Sequence, residues 1–434
     1  MRNRYTNLGW LITLVVTIIP ISIWLFVMPA QFNTAKNISD NLGRLAGLAG
    51  MALFAWNVIL SARLKIYNKL FMGLDNTYRA HHIIGCLALI LLLIHPLLIT
   101  FRYFLSSPIS AYEFVKPGLE SPFKNLGVIA LYCMIALMVV TLYMHVAYKR
   151  FILAQRLLGL VLFLGGIHAF FVGGSDLAIK TGMIGLQIYY LLLIGLAAVV
   201  YVYRSLFHGN FSKYLDYSLY KIIPLGNSYE LQLSPQGKPL VFAPGQFAFI
   251  KLELDGVLGE SHPFSMSSGP NDKSLNFGIK NLGDYTALLA TAESGTKVKI
   301  DGPYGTFSNA IVKNPRQIWI AGGIGVTPFV SMAKALEDGQ SVDLYYCAKT
   351  KDEAVYLSTL EKIASRKSNL KIILFTESKN NYLTASYIQK NSNSLDGANY
   401  MICGPPSMMK SLKAQLKQLG IKKRNINTEE FDLS

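Results

Sequence analysis

The chain has 434 residues, 52 % of them hydrophobic, and carries 41 Lys+Arg against 25 Asp+Glu for a formal net charge of +16. That length leaves room for about three domains. No basic helix, nucleic-acid reader motif or basic low-complexity tail accompanies the charge, so no nucleic acid is expected as a partner; anionic membrane lipid is. The four cysteines, Cys86, Cys133, Cys347 and Cys403, include no CxxC pair, so the spacing suggests neither a zinc site nor a disulfide framework.

The composition divides near residue 208. Residues 1–208 are rich in Leu, Ile, Val, Ala, Gly and aromatics, whereas most of the charge lies from 209 onward. The opening run, with Arg2 and Arg4 ahead of a long apolar stretch, is too long for a signal-peptide core and reads as a retained span. Six stretches are long and apolar enough to cross a bilayer as helices: 8–30, 42–62, 81–101, 126–148, 151–173 and 182–206. Arg63, Lys65, Lys69, Arg79, Lys149, Arg150 and Arg204 flank alternate span ends, which predicts both termini inside a multi-pass cytoplasmic (inner) membrane protein. The opposite loops mix signs, with Lys36, Asp40, Arg102, Glu113 and Asp176.

Histidine carries the chemistry of this half. An ionisable side chain inside a span is costly and points to function. His81 and His95 lie on the third span, 14 residues and about 21 Å apart along one side of a helix. His168 sits near the outer end of the parallel fifth span, level with His95. One neutral imidazole from each of two helices can ligate a haem iron axially, so His81, His95 and His168 are candidate metal ligands. His82 points about 100° away from His81 and is set aside. On the fifth span the position level with His81 falls at Ala154 or Gln155, neither an ordinary haem ligand. One or two haems b therefore remain open, with His145, at the inner end of the fourth span, as a further candidate ligand.

From 209 the pattern changes to short alternating runs, SLYKIIPLG, YELQLSP, QFAFIKLEL and LNFGIKN, which read as an antiparallel barrel. From about 313 it becomes strand, glycine-rich turn, helix and further strands, IWIAGGIGVTP, VDLYYCAKT, LKIILFTES and NYMICGPP, a parallel sheet with crossover helices. Nucleotides bind such sheets at the carboxyl ends of the strands. The turn Gly322-Gly323-Ile324-Gly325-Val326-Thr327-Pro328 would let a pyrophosphate approach the backbone at a helix start. The expected fold is thus a membrane all-α six-helix bundle (1–208), an antiparallel β-barrel (209–312) and an α/β parallel-sheet domain (313–434), and the order of the last two resembles a ferredoxin-NADP reductase-like module.

Glu260-Ser261-His262-Pro263-Phe264-Ser265 resembles the HPF[ST] flavin motif of the NADPH oxidase/ferric reductase superfamily. Pro244-Gly245-Gln246-Phe247, Gly283-Asp284-Tyr285-Thr286, Asp301-Gly302-Pro303-Tyr304-Gly305, Gly322 to Pro328 and Cys403-Gly404-Pro405-Pro406 are similar to further motifs of that family, in order. No DxDxDG calcium loop is present, so the likeness is to compact bacterial members. The resemblance implies FAD held by His262, Pro263, Phe264, Ser265, Gly283 and Thr286. Phe264 would flank the ring, Ser265 would meet its reactive edge, and the GPYG segment would be a turn closing the flavin domain. It implies NADPH or NADH cradled by Gly322, Gly323, Gly325, Thr327 and Pro328, with Cys403, Gly404 and Pro405 beside the nicotinamide. Phe431 would shield the flavin until hydride transfer.

Hydride transfer moves two electrons and haem accepts one, and a flavin handles both. The implied activity is that of an NAD(P)H oxidase: electrons pass from NAD(P)H via FAD and haem across the membrane to O2, giving superoxide. A ferric chelate is the alternative acceptor, and Arg102 would either attract an anionic acceptor or snorkel to the interface. No obligatory protein partner is evident. A membrane sensory or structural protein with a vestigial reductase module is the reading from another class, and intact motifs argue against it.

Overall fold

In the computed structural model the described residues are 2–28, 32–62, 65–71, 73–116, 118, 122–142, 144, 148–177, 183–207, 214–254, 257–312, 314–376, 382–392 and 397–429. The chain forms two compact units, 1–211 and 212–434.

The first unit is helical: α1 (Arg2–Val27), α2 (Ala35–Leu60), α3 (Lys65–Phe71), α4 (Leu74–Phe104), α5 (Pro108–Val115), α6 (Pro122–Leu142), α7 (Tyr148–Phe171) and α8 (Ile184–Val202). Six of these are long and apolar enough to span a membrane. The expected spans are all helical, with shifted ends. The second begins earlier, where Thr34 caps α2 by accepting from the Asn37 N–H at 3.2 Å. The third starts seven residues before the expected 81 and runs on to Phe104, so His81 lies inside α4 rather than at its edge. The fourth stops at Leu142, and His145 lies outside the described residues. The short α3 and α5 were not anticipated; Ser107 starts α5 by accepting from Ser110 N–H, with Pro108 in the first turn.

Helix α2 is the centre of the bundle. Its Leu48, Met51, Leu53, Trp56 and Ile59 are buried, joined by Ile84 of α4, Leu162 of α7 and Tyr190 of α8. Lipid-facing helices instead keep apolar side chains on their outer surfaces, such as Leu97, Leu191 and Leu192. In a bilayer, exposed apolar side chains face hydrocarbon, so no hydrophobic penalty attaches to them. At one end of the unit the mixed-sign residues pair. Arg44 bonds Asp40 (3.0 Å) and Asp176 (2.7 Å), and Arg102 bonds Asp40 (2.6 Å). Arg102 thereby forms an ion pair that joins α4 to α2.

The second unit begins with β1 (Leu215–Leu225), β2 (Ser228–Pro235), β3 (Phe247–Leu254), β4 (Val257–Leu258), β5 (His262–Ser265), β6 (Leu275–Lys280) and β7 (Lys297–Tyr304). The sheet runs β4-β3-β7-β1-β2-β6, and β5 pairs with β3. A bridge between Met266 and Phe277 links the end of β5 to β6 and closes the barrel. The GPYG segment is the end of strand β7 rather than a separate turn, with Gly305 following at φ +93°. Its alternation, KVKIDGPY, buries Val298 and Ile300 against Tyr217 and Ile250 in the barrel core.

The α/β part has β8 (Arg316–Gly322), β9 (Ser341–Ala348), β10 (Leu370–Thr376), β11 (Asn399–Cys403) and β12 (Ile426–Glu429) in the order β10-β9-β8-β11-β12, all parallel. The central β8 is buried on both faces, as its continuous apolar run requires. Trp319 packs toward Phe329 on one side, and Ile318 and Ile320 face Tyr400 and Leu412 on the other.

Candidate redox sites

The two long histidine-bearing helices hold their imidazoles in one way. His95 Nδ1 lies 2.8 Å from the Gly43 carbonyl oxygen, and His168 Nδ1 lies 2.8 Å from that of Phe123. His81 Nδ1 lies 3.2 Å from the carbonyl oxygen of Asn57. A carbonyl can only accept, so each Nδ1 carries the proton and each Nε2 keeps its lone pair. That is the tautomer of a metal-bound histidine, oriented by its other nitrogen. The register explains the repetition: the 14-residue step from His81 to His95 on α4 is matched by the 14-residue step from Asn57 back to Gly43 on the antiparallel α2.

Glycine makes room for two of these rings. A Cβ at Gly127 of α6 would stand 2.5 Å from His168 Nδ1, and one at Gly47 of α2 would stand 2.7 Å from His95 Nδ1. The residues present therefore fit a haem between α4 and α7. At the inner level, Gln155 rather than Ala154 shares a cavity with His81. His82 is turned away, with Nε2 3.8 Å from Cys86 Sγ.

In the barrel, β5 places the HPFS residues along the edge of β3, with Ser265 opposite Phe247 and His262 opposite Ile250. The His262 ring stacks on Tyr285 at 3.9 Å between centroids, and Phe264 lies nearly parallel to the same ring at 6.4 Å. Tyr285 donates its hydroxyl to the Ile250 carbonyl (2.9 Å), and burial pushes its pKa well up, so it stays a neutral donor. Ser265 is buried beside this stack. Gly283 caps the helix Asp284–Ala290, but the Thr286 hydroxyl already accepts the Leu282 and Gly283 N–H groups (2.9 and 3.0 Å). Those two amides cap the start of the helix.

The two nucleotide motifs come together at the carboxyl ends of β8 and β11. A Cβ on Gly325 would meet the Cys403 carbonyl oxygen at 2.5 Å, and one on Gly404 would meet the Gly322 backbone at 2.9 Å. The GGIG and CGP turns thus pack backbone on backbone, which glycine alone permits. Thr327 is buried, donates to the Ile324 carbonyl (2.8 Å) and opens the helix Thr327–Lys334, with Pro328 in its first turn. Gly323 takes φ +53°. Cys403 is buried at the end of β11, followed by Gly404 and Pro405. Phe431 lies outside the described residues.

Two residues with structural weight escaped the motif reading. Glu230 on β2 accepts from Ser267 Oγ (3.0 Å) and Tyr356 Oη (2.8 Å), joining the barrel to the α/β part. Glu429 ends β12 with a buried carboxylate against Gly305. Glu230 belongs to no contiguous motif, and Glu429 opens the terminal segment Glu429-Glu430-Phe431, in which only the aromatic is given a role; a charged residue at a strand position that alternation turns inward is the signal the sequence offers for both.

A helical unit with tethered imidazoles and a barrel-plus-parallel-sheet unit with paired glycine turns define an oxidoreductase of the flavin and pyridine-nucleotide class. Residues 46–166 match the family described as ferric reductase like transmembrane component, 213–308 an FAD-binding domain, and 319–414 an oxidoreductase NAD-binding domain. In that order the three are the domain architecture of the NADPH oxidase/ferric reductase superfamily. Among curated proteins, the chain is 28 % identical over 206 residues to the ferredoxin–NAD(P)(+) reductase component of naphthalene 1,2-dioxygenase/salicylate 5-hydroxylase systems from Ralstonia sp. That alignment covers 45 % of this chain and 62 % of the relative. It is 26 % identical over 215 residues to flavohemoprotein A of Dictyostelium discoideum, covering 45 % of this chain and 54 % of that protein. The flavohemoglobin of Malassezia yamatoensis shares the fold at TM-score 0.51 with 16 % identity, over 90 % of this chain and 98 % of that one.

Proposed function

We propose that the chain is a transmembrane NAD(P)H oxidoreductase passing electrons from NAD(P)H via FAD and haem b to an outer acceptor, O2, which leaves as superoxide. The observation that carries the membrane half is the common tether of His95 and His168, each with Nδ1 on a carbonyl and a ligating lone pair left on Nε2. The boundaries of the three working parts are set near 208 and 312. FAD is assigned to His262, Pro263, Phe264, Ser265, Gly283 and Thr286, and NAD(P)H to Gly322, Gly323, Gly325, Thr327, Pro328, Cys403, Gly404 and Pro405, with Phe431 covering the flavin.

When bound, the flavin supplies the conversion between hydride and single-electron transfer, and haem supplies a one-electron relay in the bilayer. The protein supplies position. Tyr285 fixes the β5 edge through its bond to Ile250, and Ser265 offers a hydroxyl donor there. The GGIG turn and the helix behind it present backbone N–H groups to a pyrophosphate. Six spans among the described residues support a common side for the N-terminus and the reductase unit, and the arginines and lysines flanking alternate span ends favour the cytoplasmic side.

The membrane domain's family description favours a second acceptor, a ferric chelate. Purified protein in detergent with FAD and NAD(P)H separates the two. Cytochrome c reduction abolished by superoxide dismutase marks O2 as acceptor. Anaerobic ferrous-chelate formation at a rate matching aerobic NAD(P)H oxidation marks the chelate. No NAD(P)H oxidation at full flavin occupancy sinks the enzyme reading.

A further inference from the structure

We propose that Glu230 is a positioning residue for hydride transfer, one carboxylate that sets the flavin segment of the barrel against the nucleotide turn of the α/β part. The proposal rests on the NAD(P)H-to-FAD reading above. Glu230 Oε2 accepts from Ser267 Oγ at 3.0 Å and from Tyr356 Oη at 2.8 Å. Ser267 lies two residues beyond Ser265, the end of β5, and Tyr356 belongs to the α/β part. Oε1 accepts from Gln232 Nε2 at 2.9 Å and from Asn276 Nδ2 at 3.4 Å, so the barrel itself holds the carboxylate from behind. The neighbouring Tyr229, turned to the other face of β2, donates to the Thr286 carbonyl at 2.6 Å. Two consecutive residues of one strand thus reach the helix assigned to FAD and the part assigned to NAD(P)H.

The same seam touches the nucleotide turn directly. Gly278 on β6 stands opposite Glu230 in the sheet register. A Cβ there would lie 2.7 Å from Thr327 Oγ1 and 2.8 Å from Tyr356 Oη, so glycine is what lets the turn approach the barrel. Thr327 and Ser331 share one face of the helix Thr327–Lys334, about one turn apart. Ser331 Oγ donates to the Ser268 carbonyl at 2.6 Å and accepts from the Gly245 N–H at 3.3 Å. The stretch 265–268 is therefore gripped at Ser267 through Glu230 and at Ser268 by the nucleotide helix. Ser267, Ser268, Thr327, Ser331 and Tyr356 are all buried.

Stability alone does not call for a carboxylate at this seam. Among the described residues no lysine, arginine or histidine pairs with Glu230, and its four donors are neutral. Taking a carboxylate out of water costs free energy, and well-packed apolar side chains hold an interface at least as firmly. What an acceptor adds is direction: it fixes the register of one surface on the other, where an apolar contact can slide. The reaction moves one hydride, a proton with two electrons, from NAD(P)H to FAD and leaves NAD(P)+ and reduced flavin. Its rate depends steeply on the separation of donor and acceptor, and a shift of about 1 Å can cost about 100-fold.

The test is the rate constant of flavin reduction, measured by anaerobic stopped flow on full-length, FAD-replete protein mixed with NAD(P)H. Tyr356→Phe keeps the buried ring and removes the donor to Glu230. It should slow flavin reduction about 10- to 100-fold at saturating NAD(P)H, with full bleaching amplitude and unchanged affinity. Partial unfolding would lower the amplitude and leave the rate constant, so structural loss reads differently. Ser267→Ala should slow the step likewise, and the double variant no further, since both act through one carboxylate. Glu230→Gln keeps an acceptor for both hydroxyls and should stay near the wild-type rate. Tyr345→Phe removes an equally buried hydroxyl, bonded to Ser392 Oγ at 2.8 Å away from the seam, and should leave the rate constant unchanged. A wild-type rate constant in Tyr356→Phe overturns the proposal. So does additive slowing in the double variant, a Glu230→Gln rate as low as that of Tyr356→Phe, or an equally slow Tyr345→Phe. No flavin reduction in wild type at full flavin occupancy instead refutes the underlying reading.

Discussion

Substituting Gly127 by alanine tests whether the His168 ring is held where iron needs it. The added Cβ would lie 2.5, 2.6 and 2.7 Å from Nδ1, Cε1 and Cγ of that ring. Carbon contacts settle at about 3.5–4.0 Å, so the ring must retreat by about 1 Å. The collision falls on the nitrogen bonded to Phe123 at 2.8 Å, so the tether stretches or breaks. Overpacking costs about 1–3 kcal/mol and a lost hydrogen bond about 0.5–1.5 kcal/mol, together about 2–4 kcal/mol. Spent on ligand orientation, that is roughly 30- to 700-fold in haem affinity. Gly166→Ala on α7 is the matched control, because its Cβ would meet only Ile194, at an ordinary 3.4 Å. Haem titration of the apoprotein, read as the Soret band per protein, should show the loss for Gly127→Ala and none for Gly166→Ala. Equal affinity in both would refute the argument that the tether positions a ligand.

Gly325→Ala should raise the KM for NAD(P)H at least tenfold while flavin content stays full, because the nearest atoms its Cβ meets are the Cys403 and Gly404 backbone of the α/β part; steady-state kinetics at saturating FAD checks it. Glu230→Ala should lower stability by about 2–4 kcal/mol, since it leaves the buried Ser267 and Tyr356 hydroxyls without their acceptor. Thermal unfolding in detergent should show that loss, with Glu230→Gln recovering part of it. Arg44→Met should cost about 3 kcal/mol by removing the guanidinium paired with the buried Asp176 carboxylate; the double variant Arg44→Met/Asp176→Asn should recover most of it by the same measurement.

Much of the reductase half was legible because its chemistry is local. HPFS, GGIGVTP and CGPP are contiguous, and their glycines mark the backbone approaches that the fold makes. Only the GPYG end of strand β7 reads as a turn, because its glycines and proline carry no alternating apolar signal, while the core-facing pair Val298 and Ile300 lies just before it. In the membrane half the periodicity located the helices and the histidines, since 14 residues is close to a whole number of turns. The Nδ1 tethers were not legible: they depend on the register of α2 against α4 and of α6 against α7, which no pattern within one helix records. The same holds for Arg102, whose partner Asp40 lies 62 residues away in sequence. The choice between Ala154 and Gln155 likewise needed the rotation of α7 about its own axis.

Haem content by pyridine haemochrome, on wild type, His95→Ala and His168→Ala purified with equal flavin occupancy, tests the central claim most directly. Each variant should lose one haem per chain, the low-spin one. Full haem in both variants would contradict the assignment of these two histidines as a ligand pair.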